Sequence, residues 1–514
     1  MPIRLSGMAS GLDTDAIVKE LVSAYQTKTD KYKKAQTKLE WKQDAWKELN
    51  AKIYKFYTNT FNRTLSSNYN KKKTVSSDES KASVVAANGS VTGTQTLKIN
   101  ALAKSGYLTG AEIGEGKKEL TADSTLKDLG IEGSTNISLT VGDKTETIEL
   151  DGSMKIRDFL GKLNEKGVVA SFDEKNQRFF ISSKSSGGSN DFGISAAKDT
   201  DKNDIADSVN ALKSLGIYYS SSKEEGDAAT EGEAYKIDGA DAEIVLNGAT
   251  FTSDTNSFSI NGLTITAKAK TDANETLTLS TDTDVDAIYN SIKDFIKEYN
   301  ELIKEMDTLY NAKSARGYEP LTDDEKDSMS DTEVEKWETK IKDSLLRRDS
   351  TLSGVISTMK NAMQKSFTID GESISLSIFG IGTAGYFDSG ENEKGMYHID
   401  GDADDSTSAS NTDKLKTMIA SDPDKVASFF SQLSKNLYDE LGKKMSSTTL
   451  SSAFTVYNDK QMKNEYDEYT KTIKKWENYV TEQEEKWYKK FSAMETALAK
   501  LQSSTSALSG LLGS

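Results

Sequence analysis

The chain has 514 residues, 65 Lys+Arg against 81 Asp+Glu, a single histidine and no cysteine. Disulfides, thiol nucleophiles and Cys-ligated zinc are therefore excluded, and one histidine cannot build a His-pair metal site. This length implies about three or four domains, since single cores stop growing near 250–300 residues.

Hydrophobic residues make up 35%, charged residues 28%, and the mean hydropathy is −0.60. No apolar run approaches the length of a bilayer span. The first seven residues lack an apolar signal core, so ordinary secretory export is not expected. The net charge of −16 is unevenly spread. Residues 1–72 hold 14 Lys+Arg against 7 Asp+Glu, residues 460–514 balance at +1, and the middle carries −24. An acidic body repels phosphate, which argues against nucleic acid. The lysines of the N-terminal segment alternate with apolar heptad positions and read as a solvated helix face.

In chain order, the first dozen residues contain Gly7 and Gly11 and lack a helical pattern; they are expected to stay disordered until bound. Asp13 or Thr14 then caps a long helix, with Asp15 and Glu20 near its positive end. A heptad puts Val18, Tyr25, Tyr32, Leu39, Trp46 and Ile53 on one position, with Leu21, Ala35, Leu49 and Phe56 three residues further on. Lys28 and Lys42 interrupt this second seam. The pattern fades after Leu65. From Thr74 to about Leu279 alternation replaces it, as in Thr96–Ile99, Ile137–Val141, Arg178–Ile181, Ala242–Leu246 and Leu263–Thr266. These are short antiparallel strands, with one amphipathic helix at Lys155–Lys166 and an acidic loop at Ser220–Glu233. Helix returns at Asp284–Tyr310, Asp331–Leu346 and Ser350–Gln364. Ser373–Phe379 and Met396–Ile399 read as strands, and Ser421-Asp422-Pro423 opens another helix. At the far end Tyr466, Ile473, Val480, Trp487, Met494, Leu501 and Leu508 repeat at strict sevens, with Tyr469, Trp476, Ala497 and Leu511 as a second seam.

A period of 3.5 sustained this long marks helices that supercoil around partners. The two ends are natural partners for each other in one stalk. Large aromatics on the seams suit a wider helical assembly better than a two-stranded coil.

Three motifs could carry chemistry. Gly380-Ile-Gly382-Thr-Ala-Gly385 matches a dinucleotide fingerprint, yet no helical period follows it; a glycine turn is the better reading. Asp400, Asp402 and Asp404 are spaced like a calcium loop, but Asp405 and Asn411 stand where Gly and Glu belong. His398 lies beside that loop without a nucleophile motif. No catalytic, cofactor or metal residue is assigned.

Gly7-Met-Ala-Ser-Gly11-Leu12-Asp13-Thr14-Asp15 resembles the N-terminal signature of the bacterial flagellar filament cap family. Leu97–Ala103, Asp238–Ala242, Ile260–Thr266, Phe295–Asn300, Leu346–Asp349, Phe379–Ile381 and Asp422–Val426 continue the resemblance, which leaves only about 106–235 without a placeable motif. It implies an α+β multidomain chain with a terminal coiled-coil stalk, a helical inner domain and antiparallel β-rich outer domains. The expected division is 1–40 with 462–514 as legs, and 41–73 with 285–461 as the helix-rich domain. A β-rich head domain takes 74–105 with 236–284, and a variable outer head domain takes 106–235. The resemblance further implies a non-enzymatic homo-oligomeric ring, secreted uncleaved through the flagellar export channel with an export chaperone. The ring would sit at the filament tip, where flagellin folds and polymerises beneath it. No cofactor, nucleic acid or membrane insertion is expected. The seam residues Val18 to Phe56 and Tyr466 to Leu508 are the expected coiled-coil and oligomer contacts, and Gly7, Gly11, Leu12 and Asp13 are the residues of the family's N-terminal motif. A second reading makes the outer β-domain a tip adhesin for host glycan or mucin, which would need an aromatic groove drawn from Tyr107, Phe159, Phe172, Phe179 and Phe180.

Overall fold

A computed structural model describes residues 9–113, 119–385 and 389–512. The chain forms two compact units, one made of residues 1–69 with 285–514 and the other of 70–284.

The first unit is built on helices. Its N-terminal helix spans Thr14–Asn62, and its C-terminal helix spans Asp459–Leu512. Between them in sequence lie a central helix at Val285–Tyr310, the shorter helices Asp331–Asp343 and Ser350–Met363, and a return helix at Pro423–Lys444. The start of each is set by local chemistry. Asp13 accepts the Ala16 N–H at 3.0 Å, Asp349 accepts those of Thr351 and Leu352, and Asp422 accepts that of Lys425 one residue before Pro423. Ser330 and Glu333 close a reciprocal capping box.

Trp46, Leu49, Ile53 and Phe56 enter one continuous core with Phe295 and Tyr299 of the central helix, Met359, and Phe429, Phe430 and Leu433 of the return helix. At the root of the N-terminal helix, Arg63 holds Glu298 through two parallel hydrogen bonds of 3.0 and 2.9 Å. Burial works against the Glu298 charge, but the guanidinium outweighs it and keeps the carboxyl below its ordinary range.

The named strands of the second unit all pair antiparallel, and the unit has two cores. In the inner part a five-stranded sheet takes Lys72–Ser76, Leu277–Thr283, Gly93–Ala101, Ala242–Leu246 and Ala249–Ser253 in that spatial order. A three-stranded sheet joins it, and Leu97, Ile99, Ile244, Phe258, Ile265 and Leu279 fill the core. The outer part packs a four-stranded and a three-stranded sheet with helices Ile156–Glu165 and Ala206–Ser214 around Phe159, Leu163, Phe179 and Leu212. Asn247-Gly248 and Asn261-Gly262 each supply two successive positive φ values between paired strands, which is the tight hairpin turn Asn-Gly favours.

Two expectations are corrected. Ser373–Phe379 is not a strand: Glu372–Ile374 pairs with Phe367–Ile369, after which Leu376–Phe379 turns into a 3-10 helix that buries Leu376 and Phe379. Residues 206–214, in a region expected to hold the single helix at Lys155–Lys166, form a second one whose Ser208 hydroxyl takes the Ala197 N–H and donates to the Asn136 carbonyl.

Because Ile53 is fully buried in the helical core, Ile53→Ala is expected to cost the first unit about 2–5 kcal/mol. Leu21→Ala, at a side chain 40% exposed, should stay within about 0.5 kcal/mol. Denaturant unfolding of the full chain checks both, and equal costs would refute this assignment of the core.

Candidate functional site

The functional candidate is the pair of terminal helices. They run antiparallel: Trp46 stacks on Tyr457 (5.3 Å between ring centres, 7° between planes), Tyr32 meets Tyr469 at 6.4 Å, and Tyr25 meets Tyr479 edge-on at 5.2 Å. Further along, the Tyr488 hydroxyl donates to Asp15 at 2.8 Å. Gln36 donates to the Thr470 hydroxyl at 2.6 Å, and Lys28 sits 4.9 Å over the Trp476 ring. Each aromatic pair contributes roughly 0.5–1.5 kcal/mol beyond its buried area. The Lys33–Glu477 pair, half exposed on both sides, contributes little.

The expected seam residues fall into three groups. Val18, Trp46, Leu49, Ile53, Phe56, Ile473 and Val480 are buried. Tyr25, Tyr32, Leu39, Tyr466, Trp476, Trp487 and Met494 are half-buried. Leu21, Leu501 and Leu508 are exposed, the last two at 68% and 61%. Near its start the N-terminal helix buries Val22 and Thr29 in place of Leu21 and Lys28. There the second buried position follows the first by four residues, whereas from Trp46 onward it follows by three. The stripe turns because its partner changes, from the C-terminal helix to the central and return helices. A straight α-helix also drifts about 20° per strict heptad.

Of the N-terminal motif, Gly7 lies outside the described residues. Gly11 has φ +70°, a left-handed turn that admits the chain to the helix; Leu12 is exposed; and Asp13 is the cap. The residues before that turn lie on the C-terminal helix. Glu495 is buried and accepts the Ala9 N–H at 2.7 Å, the Ser10 N–H at 3.2 Å and the Ser10 hydroxyl, while Gln502 donates to the Ala9 carbonyl at 3.0 Å. The Ser10 hydroxyl, followed by the Ala9 amide, holds the Glu495 carboxyl below its ordinary value of 4.5. Heptad reading did not find Glu495, because it neighbours the seam residue Met494 and carries a charge. Only the contact itself reveals it.

The motifs with possible chemistry have structural placements. Gly380, at φ +70°, ends the 3-10 turn and starts the strand Ile381–Thr383. Asp402 and Asp404 both accept from Lys293, at 2.5 and 2.7 Å, and Asp400 accepts from Asn411. Burial opposes the Lys293 charge, but the two carboxylates hold its ammonium above the ordinary lysine value. His398 Nδ1 lies 2.6 Å from Asp405, whose carboxyl is kept low by that contact against a burial effect of opposite sign. Among the described residues no group of three or more His, Asp or Glu is placed to hold a metal ion, and no helix is long and apolar enough to cross a membrane. In the outer β-part, Phe159 and Phe179 are core, Phe172 packs against it, and Tyr107 and Phe180 face outward.

Glu495 sets a pH-dependent contact. A carboxyl whose folded value lies below its unfolded value adds stability above about 4.5 and loses it as pH falls through the folded value. Hydrogen-exchange protection factors at residues 9–17, taken relative to the intrinsic rate at each pH, should therefore be high at neutral pH, fall on acidification, and be low at every pH in Glu495→Gln. Equal protection in wild type and variant would remove Glu495 from the account.

Known proteins resemble the chain in sequence. The family model described as "Flagellar hook-associated protein 2 C-terminus" matches residues 239–503, and its N-terminal counterpart matches 10–106. Flagellar hook-associated protein 2 of Halalkalibacterium halodurans is 26% identical over 456 residues, covering 82% of this chain and 78% of that one. The Thermotoga maritima protein of the same name is 26% identical over 71% of this chain and 53% of its own length. A solved structure of the flagellar cap protein FliD D1-D2-D3 domains from Escherichia coli aligns at TM-score 0.47 and 17% identity, covering 78% of this chain and 97% of that one. Matched by the C-terminal model over more than half its length, the chain belongs to the flagellar hook-associated protein 2 family, the caps of the bacterial flagellar filament.

Proposed function

We propose that the chain works as one subunit of a ring at the filament tip, where it retains exported flagellin and guides its folding and polymerisation. The observation that carries this reading is the stalk, which stands on family membership across both halves of the sequence. The chain's two ends pair as far as Ala9 with Glu495 and Gln502, while Leu501 and Leu508 face solvent. Exposed apolar heptad positions are suited to a further helix. In this reading 1–40 with 462–514 are the legs, 41–73 with 285–461 the helix-rich domain, 74–105 with 236–284 the inner head domain, and 106–235 the variable outer head domain. The role is structural and non-catalytic. The chain reaches the extracellular tip through the flagellar export channel with the help of an export chaperone. The alternative, a tip adhesin for host glycan or mucin, has in its favour only the outward-facing Tyr107 and Phe180, and the cap reading is preferred.

The test is a strain deleted for this gene, complemented with the full chain or with Leu501→Asp/Leu508→Asp. The full chain should restore motility and stop loss of monomeric flagellin. The double variant should fold normally, since both side chains are exposed, yet leave flagellin in the medium. Normal filaments in the deletion strain would overturn the cap reading, and full rescue by the variant would overturn the role of the free seam.

A further inference from the structure

The root of the stalk carries a row of aromatic side chains that the packing of this chain leaves partly open. Tyr54, Tyr57, Phe61 and Leu65 follow one flank of the N-terminal helix and its continuation at spacings of three and four. Phe454, from the loop before the C-terminal helix, meets Tyr54 edge-on at 5.6 Å. Tyr57 stacks on Tyr438 of the return helix at 4.4 Å, and Tyr438 meets Phe61 at 5.3 Å. Three of these side chains are more than half exposed: Phe454 at 55%, Phe61 at 54% and Leu65 at 59%.

Phe454 is held where it is rather than left loose. Its φ is +61°, a left-handed conformation that a bulky side chain rarely adopts. Asn50 of the N-terminal helix grips both sides of it, donating to the Phe454 carbonyl at 3.1 Å and accepting the Val456 N–H at 2.9 Å. The Phe454 N–H bonds to Met445. A strained backbone that is fixed from both sides and presents an aromatic ring to solvent is a feature that local folding does not require.

The other flank of the same helix is concave. A groove of about 320 Å³ runs between the N-terminal and central helices, with Phe56 and Leu302 on its floor and Lys52, Lys55, Glu301 and Glu305 on its rims. At 3.6 residues per turn, the row and the groove lie roughly 150° apart around the helix. A projecting apolar row on one side and a groove with an apolar floor on the opposite side are what a head-to-tail contact between identical subunits needs. Lys52 and Glu305 pair across the groove at 2.6 Å, half-exposed, so an incoming ring displaces that weak pair and meets the ammonium with its face.

We propose that the row Phe454–Tyr54–Phe61 of one subunit docks into the Phe56–Leu302 groove of the next copy, forming the heterologous contact that repeats around the ring. This rests on the ring reading and specifies its surface. A single copy supplies both halves, whereas a partner of another kind would have to bring a groove of its own.

The cysteine-free sequence allows a direct test with full-length chains. Phe454→Cys and Glu301→Cys are both exposed substitutions, and circular dichroism should show the fold of each unchanged. The two variants are mixed and treated with a short bismaleimide, and assembly is followed by sedimentation. The expected result is an adduct between the two variants when mixed, with little from either alone. In addition, Tyr54→Ser/Phe61→Ser should weaken assembly tenfold or more. Adducts of Phe454→Cys with itself, or with added flagellin in preference to the second copy, would overturn the head-to-tail contact. Assembly without any adduct would overturn this surface and leave the ring standing. No assembly at all would overturn both.

Discussion

The antiparallel register of the chain's two ends is the constraint on which the rest of the helical unit depends. Residues 9–46 face residues 457–502 in reverse order, from the Trp46–Tyr457 stack to the Ala9–Gln502 hydrogen bond. Two helices of 49 and 54 residues cannot bury their full length in one globular core, so each does two jobs. The near half of the N-terminal helix is a wall of the core with the central and return helices. In the far half the C-terminal helix is the main partner: buried Val18, Val22, Ile473 and Val480 are interleaved with aromatic edges, hydroxyls and a carboxylate, and Lys34 reaches across to Glu325. Stability is therefore greatest at the root and falls toward the tip, and the tip is where a structure that must engage another assembly benefits from open positions.

In the β-rich unit the comparable constraint is a buried charge. Lys236 is fully buried and donates to Asp191 at 3.0 Å, to Asp238 at 2.9 Å and to the Ile237 carbonyl at 3.0 Å, with its ammonium 4.8 Å over the Phe192 ring. Tyr235–Ile237 is an edge strand of the outer four-stranded sheet, and the chain from Ala242 belongs to the inner five-stranded one. The cluster thus sits where the chain passes from the outer part to the inner. Gly106 and Gly239 pack so closely around Asp191 that a Cβ at either would press on it. The family models end at 106 and resume at 239, so this junction coincides with the limits of the matched sequence.

Much of this was legible in the sequence, because the strongest signals there are periodic. The two long helices, the central helix with Ile288, Ile292, Phe295 and Tyr299 on one face, and the Asp422-Pro423 start all follow from spacing and capping chemistry. What sequence reading missed has physical causes. Residues 206–214 present only Val209, Ala211 and Leu212 as an apolar face, too few for a period to emerge. Ser373–Phe379 has strand-like composition, yet burying both Leu376 and Phe379 needs a tighter turn than a strand allows. The Asn247-Gly248 dipeptide was a readable hairpin signal that alternation alone passed over. A strict heptad also assumes a single partner, so it does not show that within one chain Val22 is buried and Leu21 left exposed. Glu495 and the Phe454 conformation leave no trace in the sequence, since each depends on residues hundreds of positions away.

The pairing of the two ends is tested most directly by a distance measured between them in solution. Gln26 and Glu477 are exposed, lie beside the Tyr25–Tyr479 contact, and can be spin-labelled through single cysteines in a chain that has none of its own. Pulsed dipolar spectroscopy on the doubly labelled full-length chain, diluted with unlabelled chain, should give one narrow distribution at the short end of the measurable range. A broad or long distribution, or a short one that disappears on dilution with unlabelled chain, would mean that the ends do not pair within one subunit, and the stalk would have to be built some other way.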